Sequence, residues 1–295
     1  MNRPLVKYLQ AVAWFVLSLV VSCGNDAITK CVGIQLSPWQ VAFFRCFFGT
    51  VTLLPFMLYQ GRQSFKTHRP WLHAIRGALL FIAISLWSHG VREVPITTAT
   101  IMSFTVPIFV LLLEPIFLRE RVTWPMWIVT IVGFYGIVQV LQPGDWSFHR
   151  VSPFFVLAAG IFGLLDIINK KYATQEPMLC MLFYSTLYAT ILLTLPAMHA
   201  GTTPTAKTLL WLLILGMGSN LILYLLLKAF KLTSVASLAP FRYLELLIST
   251  AVGYLLFQDL PSGHVYSGAV IIICCSLCSV YYQHRNIKRI FQSER

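Results

Sequence analysis

Seven ionisable residues stand inside, or at the edges of, long apolar runs: Asp26, Arg45, Arg76, Glu114, Asp166, Arg242 and Glu245. A charge at the centre of a bilayer costs about 2.5–3.5 kcal/mol even on a lenient insertion scale, so seven unpaired ones would cost roughly 20 kcal/mol. That exceeds the whole stability of an ordinary domain. Such groups therefore pair, snorkel or line water. Arg242 and Glu245 carry the sharpest signal, being three residues apart in the middle of an apolar run and so on one helical face. Tyr243 lies between them, and Pro240 just before them frees a backbone carbonyl in the preceding turn. Opposite charges, an aromatic ring and a broken helix together suit the binding of a small zwitterion or organic cation.

Depth sorts the remaining groups. Asp26 and Arg45 reach similar depth on consecutive runs, and either form an ion pair or meet a substrate. Asp166 and Lys170 have the i, i+4 spacing of a helix-surface pair, which stabilises by only about 0.2–0.5 kcal/mol. Arg76 is near enough to a helix end to snorkel, and Glu114 is placed to do the same or to pair with an arginine. Asn169, Trp87 and Phe104 are further candidates to face a cavity. The stretch Thr97-Thr98-Ala99-Thr100 through Pro107 is the matching region of the first half, although membrane Thr and Ser hydroxyls commonly bond back to their own helix.

The elements that must carry these groups are membrane helices. Of 295 residues, 57% are apolar or aromatic and only 11% charged, against about 25% charged in a soluble domain. Mean hydropathy is +0.74. Ten runs are long enough to cross a bilayer, at about 9–29, 38–59, 70–90, 95–117, 124–142, 152–173, 178–200, 207–228, 233–257 and 262–283. They are continuous, unlike the alternating strands of a membrane barrel. The expected fold class is thus all-α and integral to the membrane, with the first run retained rather than cleaved as a signal peptide.

The net charge of +12 does not point to nucleic acid, because the basic residues punctuate apolar runs instead of clustering. With the N-terminus inside, 15 Lys and Arg fall in inside segments and three (Arg92, Arg150 and Lys207) in outside loops. By the positive-inside rule both termini are cytoplasmic, and the basic tail 285–295 is a membrane-surface anchor. The seven Cys read as small buried hydrophobes; Cys275 and Cys278 form C-x-x-C without a second ligand pair, so no zinc site is expected. There is no Walker A sequence, no H-E-x-x-H and no G-x-S-x-G. The chain is not expected to be an enzyme or to hold a cofactor; its partners are a small molecule and the lipid bilayer. No clean G-x-x-x-G face marks a dimer, which leaves the oligomeric state open.

An internal repeat organises the spans. Trp14-Phe15-Val16-Leu17 matches Phe154-Phe155-Val156-Leu157, Asp26 matches Asp166, and Lys30 matches Lys170, all at an offset of 140. Two units follow, 1–146 and 147–284. Each unit has an odd number of helices, so the second enters the membrane from the opposite side. Inverted five-helix repeats of this kind build secondary transporters.

Ten spans in two such repeats, with Thr97-Thr98-Ala99-Thr100 through Pro107, then Leu118-Arg119-Glu120-Arg121, and in the second half Tyr243-Leu244-Glu245 through Phe257-Gln258-Asp259, resemble the EamA-type branch of the drug/metabolite transporter superfamily. Shorter runs are similar to a group in that branch that takes up S-adenosylmethionine in intracellular bacteria. Among them are Val41-Ala42-Phe43-Phe44-Arg45, Leu165-Asp166-Ile167-Ile168-Asn169-Lys170-Lys171 and Arg242-Tyr243-Leu244-Glu245. The resemblance implies uptake across the bacterial inner membrane, with exchange for S-adenosylhomocysteine as a natural cycle. An EamA-type exporter of amino acids or related metabolites is the alternative. S-adenosylmethionine carries a sulfonium, an ammonium, a carboxylate and a purine. Glu245 or Asp26 would meet the cations, and Arg45 or Arg242 the carboxylate. Tyr243, Phe104 or Trp87 would lie on the purine or the sulfonium. Amino acids would ask for much the same set.

Overall fold

A computed structural model describes residues 3–33, 35–91, 103–120, 122–141, 152–199, 203–257, 270–275 and 277–282. The helices are α1 (Arg3–Val32), α2 (Pro38–Tyr59), α3 (Pro70–Val91), α4 (Val106–Phe117), α5 (Trp124–Leu141), α6 (Ser152–Tyr172), α7 (Met178–Met198), α8 (Ala206–Leu232), α9 (Val235–Leu238) and α10 (Leu244–Phe257), then α11 (Val270–Tyr282). A 3-10 turn, Ala239–Tyr243, joins α9 to α10. The described residues contain no strand.

Local sequence sets where the helices begin and stop. Ser37 caps α2 in a reciprocal capping box with Gln40, and Pro38 occupies the first turn, where its missing N–H costs nothing. Thr205 caps α8 through the amide of Thr208. Gly61, at φ 84, turns the chain out of α2 in the left-handed region that a side chain resists.

Seven stretches are long and apolar enough to cross a membrane, one of them running through α9, the 3-10 turn and the start of α10. Three shorter apolar helices, Val106–Phe117, Trp124–Gly136 and Val270–Tyr282, fall where the other expected spans lie. Thr97–Thr100, Gln258-Asp259 and the basic tail 285–295 lie outside the described residues. Large apolar side chains cover the outside of the bundle: Trp124 is 80% exposed and Leu195 70%. Water does not tolerate such a surface over so many helices, whereas lipid does. The protein is a multi-pass helical membrane protein.

The helix partnerships come in mirrored pairs. Helix α1 packs on α8, and its repeat-mate α6 packs on α3. Helix α2 packs on its own mate α7, while α2 with α8 is mirrored by α3 with α7. Helix α4 packs on α6, as α10 packs on α1. Two glycines make the mirror local. A Cβ on Gly77 of α3 would lie 2.4 Å from Tyr188 Cβ and 3.2 Å from the Ala189 nitrogen. A Cβ on Gly216 of α8 would lie 2.8 Å from Phe48 Cβ and 2.7 Å from the Gly49 nitrogen. Phe48 and Gly49 stand 140 residues before Tyr188 and Ala189. At both places the backbones touch because no side chain intervenes.

Candidate functional site

The charged residues form a column along the interior faces of α1, α2, α6, α8 and the broken segment between α8 and α10. At one end of it Arg242 Nη2 donates to Asp166 Oδ2 at 2.5 Å. Arg242 sits in the 3-10 turn, where the chain has left the α-helical path, and this aims its side chain at α6 rather than along its own helix. Its side chain is 22% exposed and that of Asp166 11%. Glu245, in the first turn of α10, is next. It is half-buried, lies beside Ser22 of α1, and senses the charges of both Arg242 and Asp26. The Cys23 thiol, 3.5 Å from the Glu245 carbonyl oxygen, ties α1 to this level. One turn further along α1, Asp26 is exposed and senses Arg45. Arg45 of α2 donates through Nε to the Ser219 hydroxyl of α8 at 2.6 Å.

Two expected pairings are corrected. Asp166 does not pair with Lys170 on the surface of its helix. Lys170 Nζ donates instead to the carbonyls of Phe230 and Thr233, both at 2.7 Å, and so caps the C-terminal end of α8. Nor do Asp26 and Arg45 form a contact pair: among the described residues the ion pairs are Arg242 with Asp166 and His73 with Glu176. Arg45 is held by a neutral hydroxyl because Ser219 lies nearer its Nε.

Arg76 does not snorkel. It is 2% exposed; Nε and Nη2 donate to Asn169 Oδ1 at 3.1 and 2.8 Å, and Nη1 donates to the Met181 carbonyl at 3.0 Å. Asn169 is 6% exposed and is thereby engaged in joining α6 to α3. Glu114, for which the sequence offered no single role, is fully buried. Its Oε1 accepts from the Val235 amide at 3.1 Å and its Oε2 from the Ala236 amide. With Ser234 accepting from Ser237 at 3.3 Å, the first amides of α9 are satisfied, and a carboxylate at a helix N-terminus is favoured by the dipole.

The aromatic candidates lie differently from one another. Tyr243 is wholly buried, its hydroxyl donating to the Thr130 carbonyl of α5 at 3.0 Å. Its ring fills the space over Gly133, where a Cβ would come within 2.5 Å of it. Phe104 is 3% exposed and 6.0 Å from the Tyr243 ring centre, in the same apolar cluster. Both rings are packed against protein. Trp87 is half-buried and meets Phe155 edge to face at 4.9 Å. Ser219 and Asn25 complete the far end of the column. Asn25 had a visible signal, a carboxamide in an apolar run; Ser219 had none, because a helical serine ordinarily satisfies itself.

The column thus offers both signs of charge on both sides of its middle, with an exposed acid at one end and a contact ion pair at the other. It can hold a molecule carrying separated positive and negative groups; among the described residues no set of His, Cys, Asp and Glu could hold a metal ion.

Comparison with known proteins agrees with this architecture. The chain is 44% identical over 294 residues to the S-adenosylmethionine uptake transporter of Rickettsia conorii, covering 100% of both chains. It is 42% identical over 295 residues to the S-adenosylmethionine uptake transporter of Rickettsia prowazekii, again covering 100% of both. A solved crystal structure superposes with a TM-score of 0.81 over 93% of this chain and 98% of the other, at 18% identity, and so shares the fold. The EamA-like transporter family matches twice, over residues 9–142 and 151–281. With each half of the chain matching and relatives aligned from end to end, the protein belongs to the EamA-like transporter family.

Proposed function

We propose that the protein is a secondary transporter that brings S-adenosylmethionine into the cell by alternating access, and that exchange for S-adenosylhomocysteine completes the cycle. The end-to-end identity of 42–44% to uptake transporters for this substrate carries the reading. The charge column supports it: the substrate has two cationic centres and one carboxylate, and the column supplies Glu245 and Asp26 for the former and Arg45 for the latter. Direct uptake also fits the absence of any nucleotide-binding motif from the sequence.

The mechanism follows from the repeat. Ten spans in two inverted halves have two packings of similar energy, one open to each side, and the substrate sits where the halves meet. The mirrored partnerships and the paired glycine contacts support this symmetry. The halves are 1–146 and 147–284, in the bacterial inner membrane, with both termini cytoplasmic as the distribution of Lys and Arg requires.

Cells expressing the protein should accumulate labelled S-adenosylmethionine above a vector control, faster when preloaded with unlabelled S-adenosylhomocysteine. Accumulation equal to the control would overturn the substrate. Acceleration lost on adding a proton uncoupler would replace exchange by proton coupling.

A further inference from the structure

The Ser219 hydroxyl has one hydrogen to give and two lone pairs to share, and all three are committed. It donates to the Leu215 carbonyl at 2.8 Å, one turn back in α8. It accepts from Asn25 Nδ2 at 3.2 Å and from Arg45 Nε at 2.6 Å. Asn25 is itself fixed, its Nδ2 also donating to the Leu215 carbonyl at 3.3 Å. It lies so close over Gly218 that a Cβ there would fall 2.2 Å from Asn25 Oδ1. Three helices, α1, α2 and α8, therefore meet at one oxygen, and the arginine is the only charged group there.

A guanidinium can take a carboxylate along either of two edges, one using Nε with a terminal nitrogen and the other using both terminal nitrogens. Ser219 occupies Nε and removes the first edge. Among the described residues the two terminal nitrogens of Arg45 make no hydrogen bond to protein. The second edge is thus left open, next to the exposed carboxylate of Asp26. This arrangement matches the carboxylate and ammonium of an α-amino acid group.

We propose that Ser219 is a positioning residue: by holding Nε it turns the terminal edge of Arg45 toward the substrate's carboxylate and makes the transporter select molecules that bear one. The inference rests on the uptake of S-adenosylmethionine proposed above and deepens it.

The test is competition. Uptake of labelled S-adenosylmethionine is measured against unlabelled S-adenosylmethionine and its decarboxylated analogue, which keeps the sulfonium, amine and adenine. The wild-type protein should prefer the intact molecule at least tenfold. Ser219→Ala should raise KM about tenfold with maximal rate within twofold of wild type, and should bring the preference close to one. Ser219→Thr, which restores the hydroxyl, should restore the preference. If Ser219→Ala does not reach the membrane, Ser219→Cys takes its place, since a thiol is a much weaker acceptor at similar volume. An inserted variant lacking the hydroxyl that still prefers the intact molecule tenfold would overturn the proposal, as would a wild-type protein that accepts both molecules equally. A wild-type protein that takes up neither would overturn the substrate instead.

Discussion

Asp166 and Arg242 stand 76 residues apart in sequence and make contact at 2.5 Å, whereas Asp26, the repeat-mate of Asp166, lies exposed and out of contact with Arg45. One acid of the mirrored pair is closed against its arginine and the other is open. The two halves of the chain are thus held in unlike states, as a transporter open toward one side requires.

Removing one partner of the contact pair strands the other. A fully buried charge left alone costs about 3–5 kcal/mol, and partial exposure here reduces that. Arg242→Ala and Asp166→Asn should each lower uptake at least tenfold without preventing insertion. The exchanged double variant, Asp166→Arg with Arg242→Asp, should recover part of the loss. Additive losses in the double variant would show that the contact itself is immaterial.

Glu245 has no contact ion pair, so its charge is available to the substrate. Glu245→Gln keeps the shape and removes the charge. Uptake should fall at least tenfold, about 1.4 kcal/mol or more of lost interaction, with the amount of protein in the membrane unchanged. Uptake at the wild-type rate would remove Glu245 from the site.

Tyr243 serves packing. Tyr243→Phe loses one hydrogen bond, worth about 1 kcal/mol, and should lower the melting temperature of the detergent-solubilised protein slightly while KM stays within twofold. Gly133→Ala presses a methyl group into the same ring, and overpacking of this kind costs about 1–3 kcal/mol. It should destabilise more than Tyr243→Phe does. A KM raised severalfold by Tyr243→Phe would return this residue to substrate binding.

Glu114 holds the start of α9 from the other half of the chain. Glu114→Ala leaves the amides of Val235 and Ala236 buried without an acceptor, at about 1–3 kcal/mol for each group. A marked fall in melting temperature is expected, with Glu114→Gln in between, because a carboxamide oxygen still accepts. A thermal shift measured on the purified protein checks the order.

The membrane class, the positions of the apolar runs, the repeat offset and the importance of Asp26, Arg45, Asp166, Arg242 and Glu245 were all legible in the amino-acid sequence. Hydropathy is a sum over neighbours in the chain, and a charge in an apolar run is conspicuous whatever it touches. Partners were not legible. The i, i+4 rule pointed Asp166 at Lys170, yet Arg242 reached it because Pro240 and the 3-10 turn swing that side chain off the helical face. Arg76 was expected to snorkel and instead found Asn169 on another helix.

What the sequence determined alone is therefore local: which segments prefer lipid, where helices are capped, and which groups are too costly to leave unsatisfied there. Only the tertiary structure decided how each was satisfied. Glu114 meets amides 121 and 122 residues away, and Ser219 gathers α1, α2 and α8 at one oxygen. Hydrogen bonds act over about 3 Å of space, so residues distant along the chain become partners only once the helices have packed.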